Sequence, residues 1–397
     1  MSKTFCPLPW THLATHPQGE LTLCCEADHT MGISEAFDTD EFGQRKPRTL
    51  HTTEYDFDAI QNSGSFSRVR REMLDGKKPP QCTRCFDLEK VGIKSKRQYE
   101  SDRLNFDETK AIEITNADGT INEVSYEFVE LRLGNHCNLA CRSCNPLSTS
   151  RWTKDWNEVN PDNKLSVTQK LFNWPLDTDF WEKLLEHSNT LRYVYINGGE
   201  PLLIDKHLQF LIDLVKCGRS KDITLVYSTN CTVVNHIYED VWRHFKHVQL
   251  MVSIDCLAER NSFIRSPSKW DVILQTLEWI KAICKVDNIS YNIMQTVSVY
   301  NIYYMKEFHE FFEFAPYVSM NFVTDPSYLD PALLPQEIKD AVIAKFPNQT
   351  VIDYLSKGEC ADNMKEFHKK NAKMDELRKQ DFKATFPELY DMVIPYV

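Results

Sequence analysis

The stretch YEFVELRLGNHCNLACRSC, residues 126–144, decides the fold of this chain. Residues 126–133 alternate apolar and polar side chains and are rich in β-forming residues, which predicts a strand. Cys137, Cys141 and Cys144 follow in a C-x3-C-x2-C spacing. A structural zinc site or a closed iron–sulfur cluster needs four protein ligands, so three thiolates on one loop indicate a 4Fe-4S cubane with one open iron. The alternative is a zinc loop whose fourth ligand lies elsewhere, for instance His136.

Strand and helix patterns alternate downstream of this loop. Strands are predicted over residues 191–196, 223–228, 248–254, 289–299 and 318–324, and helices over 205–215, 234–245, 270–284 and 303–314. This alternation indicates a parallel sheet with right-handed crossovers. The predicted fold class is therefore α/β, a partial (β/α)6 TIM-type barrel with functional groups at the C-terminal ends of its strands. The cysteine loop follows the first strand and Gly198-Gly-Glu-Pro201 follows the second, so we expect both at that end.

On these motifs the region resembles the radical S-adenosylmethionine (SAM) superfamily. Cys137, Cys141 and Cys144 match its cluster motif, and Gly198-Gly-Glu-Pro201 matches the turn that holds the amino group of SAM. The resemblance implies a 4Fe-4S cluster with an open iron, and reductive cleavage of SAM to a 5′-deoxyadenosyl radical that abstracts hydrogen from a substrate. The residues that it assigns to SAM are Gly198, Gly199, Glu200, Pro201, Ser228, Asn230, Ser253, Asp255 and Arg265.

Within this set, the motifs on the third and fourth strands have separate roles in the family. Ser228-Thr-Asn230 resembles the third-strand end that lines the pocket, and Val252-Ser-Ile-Asp255 resembles the motif whose serine reaches the ribose or carboxylate of SAM. Arg265 matches an arginine that pairs with the SAM carboxylate, which a guanidinium suits bidentately. A solvated surface charge is the alternative for this arginine. The sequence departs from the family at Ser143, where an aromatic residue is common, so adenine contact must come from elsewhere.

A second group of cysteines lies at the N-terminus. Cys6, Gly19 and Cys24 have the spacing C-x12-G-x4-C, and Cys82-Thr-Arg-Cys85 follows later. This pattern resembles the auxiliary-cluster module called the twitch domain, a shortened SPASM domain, and implies a second 4Fe-4S cluster. Cys25 is the alternative to Cys24, which the family spacing selects. A zinc ribbon built from the same four thiols is the alternative site type. In most relatives this module follows the barrel, whereas here it precedes it.

Two further cysteines occupy positions where the family commonly has glycine. Cys231 follows the third-strand asparagine and Cys256 follows the fourth-strand aspartate. A thiol near the barrel lumen could return a hydrogen atom to a substrate radical, which makes both residues candidate catalytic donors. The alternative is that cysteine is simply a small residue tolerated in a packed turn.

Length and composition favour a multidomain metalloprotein of a reducing compartment. The predicted domains are a twitch-like module (1–100), a linker (101–125), the barrel (126–330) and a C-terminal helical extension (331–397). Thirteen cysteines without a signal-peptide pattern indicate metal binding in the cytoplasm, not a disulfide scaffold. No apolar stretch is long enough to predict a membrane span. The net charge of −11 argues against a nucleic-acid groove.

The combined prediction is a radical SAM enzyme that acts on a peptide or protein residue. The peptide substrate is inferred from the proteins in which twitch and SPASM modules occur, and the resemblance implies an electron donor of the flavodoxin or ferredoxin type. One alternative is a radical SAM enzyme that modifies a small molecule or nucleotide by dehydrogenation, C–C bond formation or epimerisation. The other is a non-catalytic, zinc-stabilised binding protein.

Overall fold

The computed structural model describes residues 3–28, 35–39, 45–53, 57–90, 92–162, 164, 171–358, 360 and 362–397. Spatial contacts divide the chain into two compact units. Unit 1 comprises Met1–Gly134, Phe172–Tyr227 and Ile237–Val248, and unit 2 comprises Asn135–Leu171, Ser228–His236 and Gln249–Val397. The four sequence-based domain ranges remain a prediction.

Ten strands occur in the described residues. They are β1 (His12–Thr15), β2 (Leu21–Thr22), β3 (Glu35–Thr39), β4 (Arg45–Thr49), β5 (Phe128–Arg132), β6 (Tyr193–Asn197), β7 (Thr224–Thr229), β8 (His247–Ser253), β9 (Ile289–Val297) and β10 (Val318–Phe322). Eight of them form a mostly parallel sheet in the order β10-β9-β8-β7-β6-β5-β1-β2, and β3 and β4 form a separate antiparallel pair. The α/β class is therefore as predicted, and the strand order is compatible with a partial barrel.

The α-helices include one in each of the four predicted ranges, 205–215, 234–245, 270–284 and 303–314. They are α1 (Leu8–Thr11), α2 (Phe57–Gln61), α3 (Gly64–Leu74), α4 (Thr83–Lys90), α5 (Lys96–Arg103), α6 (Glu108–Ile114), α7 (Thr153–Val159), α8 (Thr178–Glu186), α9 (Asp205–Lys216), α10 (His236–Trp242), α11 (Ala258–Ile264), α12 (Trp270–Ile283), α13 (Met305–Phe311), α14 (Gln336–Lys345), α15 (Gln349–Leu355), α16 (Asp362–Arg378), α17 (Phe382–Thr385) and α18 (Pro387–Val393). Among the described helices, none has both the length and the apolar character needed to cross a membrane.

Unit 1 contains the parallel strands β1, β5 and β6. Phe128 of β5 lies opposite His12 of β1 and Tyr193 of β6, and β2 runs antiparallel to β1 in an N-terminal hairpin. The four residues of β1 are all buried, as are the first four of β5. Burial on both faces is typical of inner parallel strands. The sheet is therefore wider than the six predicted strands, because the N-terminal hairpin pairs directly with β5.

Unit 2 is organised around β9 and the C-terminal helices. β9 alternates buried and half-buried residues along its length and runs parallel to β10, with Val318 opposite Ile293. One hydrogen bond, from Ile254 N–H to the Met294 carbonyl at 3.2 Å, ties the segment after β8 to β9. A large apolar cluster joins the end of β9 to the helical residues beyond 330, including Phe367 and Leu389. The C-terminal extension thus shares one core with this part of the sheet.

A buried histidine on α9 makes unit 1 sensitive to acid. The His207 ring is fully buried between Tyr227 and Tyr238, and its Nδ1 bonds to the Ile204 carbonyl at 2.6 Å. Its Nε2 has no hydrogen-bond partner in the described part of the chain. Burial therefore lowers the pKa of His207 to about 3, against the opposing effect of the Ile204 bond. The folded protein holds the neutral ring, so stability is lost as pH falls from about 6.5 towards 3.

We expect the variant His207→Asn to reduce this acid sensitivity, because an amide cannot titrate and can still donate to Ile204. Between pH 7 and pH 4.5 the wild type should lose about 2–3 kcal/mol more unfolding free energy than the variant. Denaturant unfolding at the two pH values measures the difference. The exposed His244→Asn is the control and should keep the wild-type pH dependence. Equal pH dependence of His207→Asn and wild type would contradict a neutral His207.

Candidate metal and cofactor site

The three cysteines after β5 lie on a tightly turned loop of unit 2. Cys144 N–H donates to the Cys141 carbonyl at 2.9 Å, which closes a turn between two of the candidate ligands. The Cys137 sulfur accepts from Leu139 N–H at 3.4 Å and from Asn230 Nδ2 at 3.7 Å. Local geometry and one long-range amide therefore hold the first thiol in place.

The same loop is attached to the segment after α11. Ala140 N–H donates to the Ser266 carbonyl at 2.6 Å, and Arg142 N–H donates to the Ile264 carbonyl at 2.7 Å. These two bonds lie on either side of Cys141 and run to the residues on either side of Arg265. Two backbone hydrogen bonds therefore connect the segment that carries this arginine to the cysteine loop.

Arg265 forms a buried ion pair with Asp255. Its Nη1 lies 3.0 Å from Asp255 Oδ2, and Arg265 and Asp255 are 9% and 0% exposed. Arg265 is therefore not the solvated surface charge that we considered as an alternative. Its Nε is buried and has no hydrogen-bond partner among the described residues. One donor of a buried guanidinium is thus left for an anionic group.

The thiols of Cys141 and Cys144 share a hydrogen bond. This bond, with a smaller contribution from the nearby charge of Arg265, lowers the pKa of Cys141 to about 7 against the effect of burial. The same bond, with burial, raises the pKa of Cys144 well above its usual range. The loop therefore favours one thiolate near neutral pH, and thiolates are the form that binds metals.

The remaining predicted residues of unit 2 lie at the ends of β7 and β8. Asn230 donates from Nδ2 to Asn138 Oδ1 at 2.8 Å, which joins the end of β7 to the cysteine loop. Ser228 lies within β7, and Ser253 is the last residue of β8. Contacts thus bring Asn230, Asp255 and Arg265 together with the cysteine loop, and strand position alone places the two serines.

The Gly198-Gly-Glu-Pro201 turn lies in unit 1, directly after β6. Gly198 and Gly199 have φ values of +83° and +54°. A Cβ atom on Gly198 would lie 2.7 Å from Leu133 N, so the backbone of the turn packs closely on the end of β5. Glu200 is fully buried, and its carboxylate accepts from Leu202 N–H at 3.2 Å. The glycines therefore permit a conformation that fixes this carboxylate.

The N-terminal cysteines of unit 1 line one small cavity. Four thiols face it, those of Cys6, Cys24, Cys82 and Cys85, and the cations Lys96 and Arg97 also line it. Cys25 does not line this cavity but lines a separate surface groove, and its thiol bonds to Lys96. The fold thus separates two cysteines that are adjacent in the sequence.

Burial dominates the acid–base chemistry of this cavity. It raises the pKa of the Cys6, Cys24 and Cys82 thiols above their usual range, and the neighbouring thiols raise it further. Thiolates in such a site need a metal to hold their charge, because metal binding is coupled to release of their protons. Four thiols around one cavity are the ligand set of a closed 4Fe-4S cluster.

The described residues were also compared with the geometry of a site for a single metal ion. In the described ranges, no three His, Cys, Asp or Glu residues are grouped so as to hold one metal ion. The zinc alternative would need four sulfurs at about 2.3 Å from one point. The four thiols supply the ligand type and number that a 4Fe-4S cluster needs.

The two candidate hydrogen donors are packed into the interior of the protein. Cys231 is fully buried at a φ of +60°, and its thiol points to the Ile273 carbonyl at 3.7 Å. Cys256 belongs to the apolar cluster of unit 2, and burial raises its pKa to about 12. Their donor role remains a prediction, which this packing does not support.

Sequence reasoning missed the side chains that hold the cysteine loop from behind. Trp152 donates from Nε1 to the Cys141 carbonyl at 2.7 Å, and Arg378 donates to the Ala140 carbonyl at 2.8 Å. The aromatic residues that follow the cluster motif, Trp152 among them, were the sequence signal for such contacts. No sequence signal links Arg378 to the loop, because the two are 238 residues apart.

No protein-family model and no curated protein matches the chain. Solved structures show a distant likeness. "Native anSMEcpe with bound AdoMet" is 16% identical with a TM-score of 0.41, over 57% of this chain and 59% of that chain. "Crystal structure of Streptococcus suis SuiB" is 14% identical with a TM-score of 0.36, over 82% and 71% of the two chains. SuiB "bound to precursor peptide SuiA" is 12% identical with a TM-score of 0.33, over 90% and 75%. At these TM-scores the likeness carries no argument about fold or function.

The different positions of Cys24 and Cys25 generate a direct prediction. We expect Cys24→Ala to lose about four of about eight reconstituted irons per chain, since it removes a cavity thiol. Cys25→Ala should retain them, and it serves as the matched control because the two positions are neighbours. Iron and sulfide analysis after anaerobic reconstitution measures both. Iron loss in Cys25→Ala with retention in Cys24→Ala would reverse the assignment.

Proposed function

We propose that this chain is a radical SAM enzyme with a partial (β/α)6 barrel that abstracts hydrogen from a peptide or protein residue. One observation carries the proposal: three thiols on one loop are tied by backbone hydrogen bonds to a buried Asp255–Arg265 pair with a spare donor. A structural zinc loop requires neither a buried arginine beside its thiols nor an unused guanidinium donor.

In this proposal Cys137, Cys141 and Cys144 hold three irons of a 4Fe-4S cluster. The cluster and SAM, when bound, supply a 5′-deoxyadenosyl radical that takes a hydrogen atom from the substrate. The chain itself binds and orients. Arg265 Nε donates to the carboxylate of SAM, and Asp255 keeps the guanidinium in place. A charge-assisted bond of this kind is strong because the arginine is buried.

The family resemblance supplies two further assignments. Glu200 is proposed to accept from the amino group of SAM, and its burial and its bond to Leu202 support a fixed carboxylate. Cys6, Cys24, Cys82 and Cys85 are proposed to hold a second 4Fe-4S cluster, which their common cavity supports. This four-thiol module is also the basis for a peptide or protein substrate, since twitch and SPASM modules accompany such substrates.

The test is SAM cleavage by the reconstituted full chain. With SAM and dithionite under anaerobic conditions, the wild type should form 5′-deoxyadenosine, and Cys141→Ala should form none while it keeps about half the iron. Cys217→Ala is the control, because Cys217 is exposed and belongs to neither cysteine group. Stoichiometric zinc without SAM cleavage in the wild type would refute the enzyme and favour a zinc-stabilised binding protein.

A basic groove of unit 1 supports an acidic electron donor. It lies next to the four-thiol cavity, since Arg97 lines both and Phe86 of the groove follows Cys85. Five cations line the groove, namely Lys3, Lys78, Lys90, Lys94 and Arg97. Its two carboxylates, Glu89 and Asp102, already pair with Arg97 and Lys94. In a chain of net charge −11 this excess of positive charge is local, so it would steer an acidic partner to this face.

Charge reversal in the groove should affect the reaction with a protein electron donor and not the reaction with a chemical reductant. Lys78→Glu is expected to slow flavodoxin-driven 5′-deoxyadenosine formation about tenfold at low salt, and to leave the dithionite-driven rate unchanged. Rising salt should narrow the difference. The exposed Lys369→Glu is the matched control in unit 2. Donor docking in the groove would be contradicted if both variants slowed the flavodoxin-driven rate equally. It would also be contradicted if Lys78→Glu slowed the dithionite-driven rate as much as the flavodoxin-driven rate.

A further inference from the structure

The side chain between the last two cysteines of the loop is bound by the C-terminal part of the chain. Arg142 is fully buried, and its Nη1 donates to Asn371 Oδ1 at 2.6 Å. Its Nη2 donates to Asp375 Oδ1 at 2.5 Å and to Gln380 Oε1 at 2.9 Å. Two of these three acceptors lie on α16 and the third follows it. The arginine therefore joins the cysteine loop to the end of the chain.

Two aromatic residues also contact the Arg142 guanidinium, whose Nε has no hydrogen-bond partner among the described residues. Its guanidinium lies 3.7 Å from the ring centre of Phe263, and the Tyr300 hydroxyl is 3.3 Å from Nη1. Tyr300 also donates to Asn371 Oδ1 at 2.9 Å, so the acceptor itself is held. A planar guanidinium that stacks and bonds at its edge has little freedom to move. Such a site fixes the position of the backbone that carries it.

A second arginine binds the loop from the same helix. Arg378, the last residue of α16, donates from Nη1 to the Ala140 carbonyl at 2.8 Å. Its Nε lies 2.9 Å from Asp155 Oδ2, and its guanidinium lies 4.4 Å from the Trp152 ring centre. Trp152 in turn bonds to the Cys141 carbonyl. α16 is thus attached to the loop directly and through one aromatic residue.

Together these contacts satisfy the backbone around the central cysteine. The Ala140 carbonyl binds Arg378 and the Cys141 carbonyl binds Trp152, and the N–H groups of Ala140 and Arg142 bind Ser266 and Ile264. These four hydrogen bonds give the loop a defined conformation. This conformation places the Cys141 and Cys144 thiols side by side.

We propose that α16 is a positioning element of the cofactor site, in which Arg142 and Arg378 hold the cysteine loop in its metal-binding conformation before the cofactor arrives. The inference rests on the proposed function, since it takes the loop to bind a 4Fe-4S cluster. It adds that the C-terminal extension is part of this site, not only a cover for the core. Loss of the Arg142 or Arg378 contacts should make the loop more mobile in the apo protein. In the protein that carries the cluster, it should change the environment of that cluster.

A matched arginine allows a sharp test. Arg260 also belongs to unit 2, stacks on an aromatic ring at 3.8 Å from the Tyr304 centre, and pairs with Glu307 at 2.9 Å. It does not contact the cysteine loop in the described structure. Arg142→Met and Arg260→Met therefore remove the same kind of interaction. Of the two arginines, only Arg142 is connected to the candidate ligands.

The first readout is amide hydrogen exchange of residues 139–144 in the apo full-length protein. Arg142→Met should exchange there at least about tenfold faster than wild type, whereas Arg260→Met should not. Asp375→Asn is the milder variant and keeps the test available where Arg142→Met fails to fold. The same acceleration in Arg260→Met, or none in both Arg142→Met and Asp375→Asn, would overturn the proposal.

The second readout is the reconstituted protein. The midpoint potential of the open cluster, followed by electron paramagnetic resonance, should move to more negative values in Arg378→Met and be restored in Arg378→Lys, because a cation near the cluster is lost and regained. An unchanged potential in Arg378→Met would contradict a role at the cluster. If the wild type fails to load iron at this loop but the hydrogen-exchange result holds, the proposed function is refuted. The positioning role of Arg142 and Arg378 is then still supported.

Discussion

A buried charge at the end of β8 is the constraint on which the site in unit 2 depends. Asp255 is fully buried, and an unpaired carboxylate there would be costly, so its surroundings are built to satisfy it. Arg265 and the Thr296 N–H bind its two oxygens. Its backbone carbonyl accepts from Gln295 at 3.0 Å and from Asn301 at 2.7 Å. Removing one partner of such a pair costs about 3–5 kcal/mol, which makes this junction hard to deform.

The position of the cysteine loop follows from that junction. Arg265 must reach Asp255, and this requirement fixes residues 264–266, whose carbonyls then accept from Ala140 and Arg142. The arginine that the family resemblance assigns to SAM therefore also has a structural task. The two tasks are compatible because one edge of the guanidinium binds Asp255 while Nε is unused. Pairing with Asp255 lets a buried cation exist before any anionic cofactor is present.

Strong local patterns made much of the fold predictable. The six strands from β5 to β10 were expected because alternation and helix-like spacing extend over many residues. The cysteine and glycine motifs were equally local. Pairing of β1 with β5 was not predictable, since a four-residue strand carries no information about its partner. Arg142 illustrates the other limit: its partner Asp375 lies 233 residues away, and a charged residue between two cysteines gives no sign of being buried. Long-range polar pairs are set by tertiary packing, which periodicity does not report.

The two cysteine groups differ in the number of thiols that the fold brings together. The loop brings three thiols together with an unused arginine donor nearby, and half-buried cysteines occur in both groups, Cys137 and Cys144 on the loop and Cys24 and Cys82 in the cavity. In the N-terminal cavity four thiols supply the number of ligands that a closed 4Fe-4S cluster needs. Burial there raises the pKa of three of the thiols, so a metal must displace their protons and is then held by four thiolates. Electron transfer and structural support are the tasks that a closed site can perform, whereas binding a reactant requires the open one.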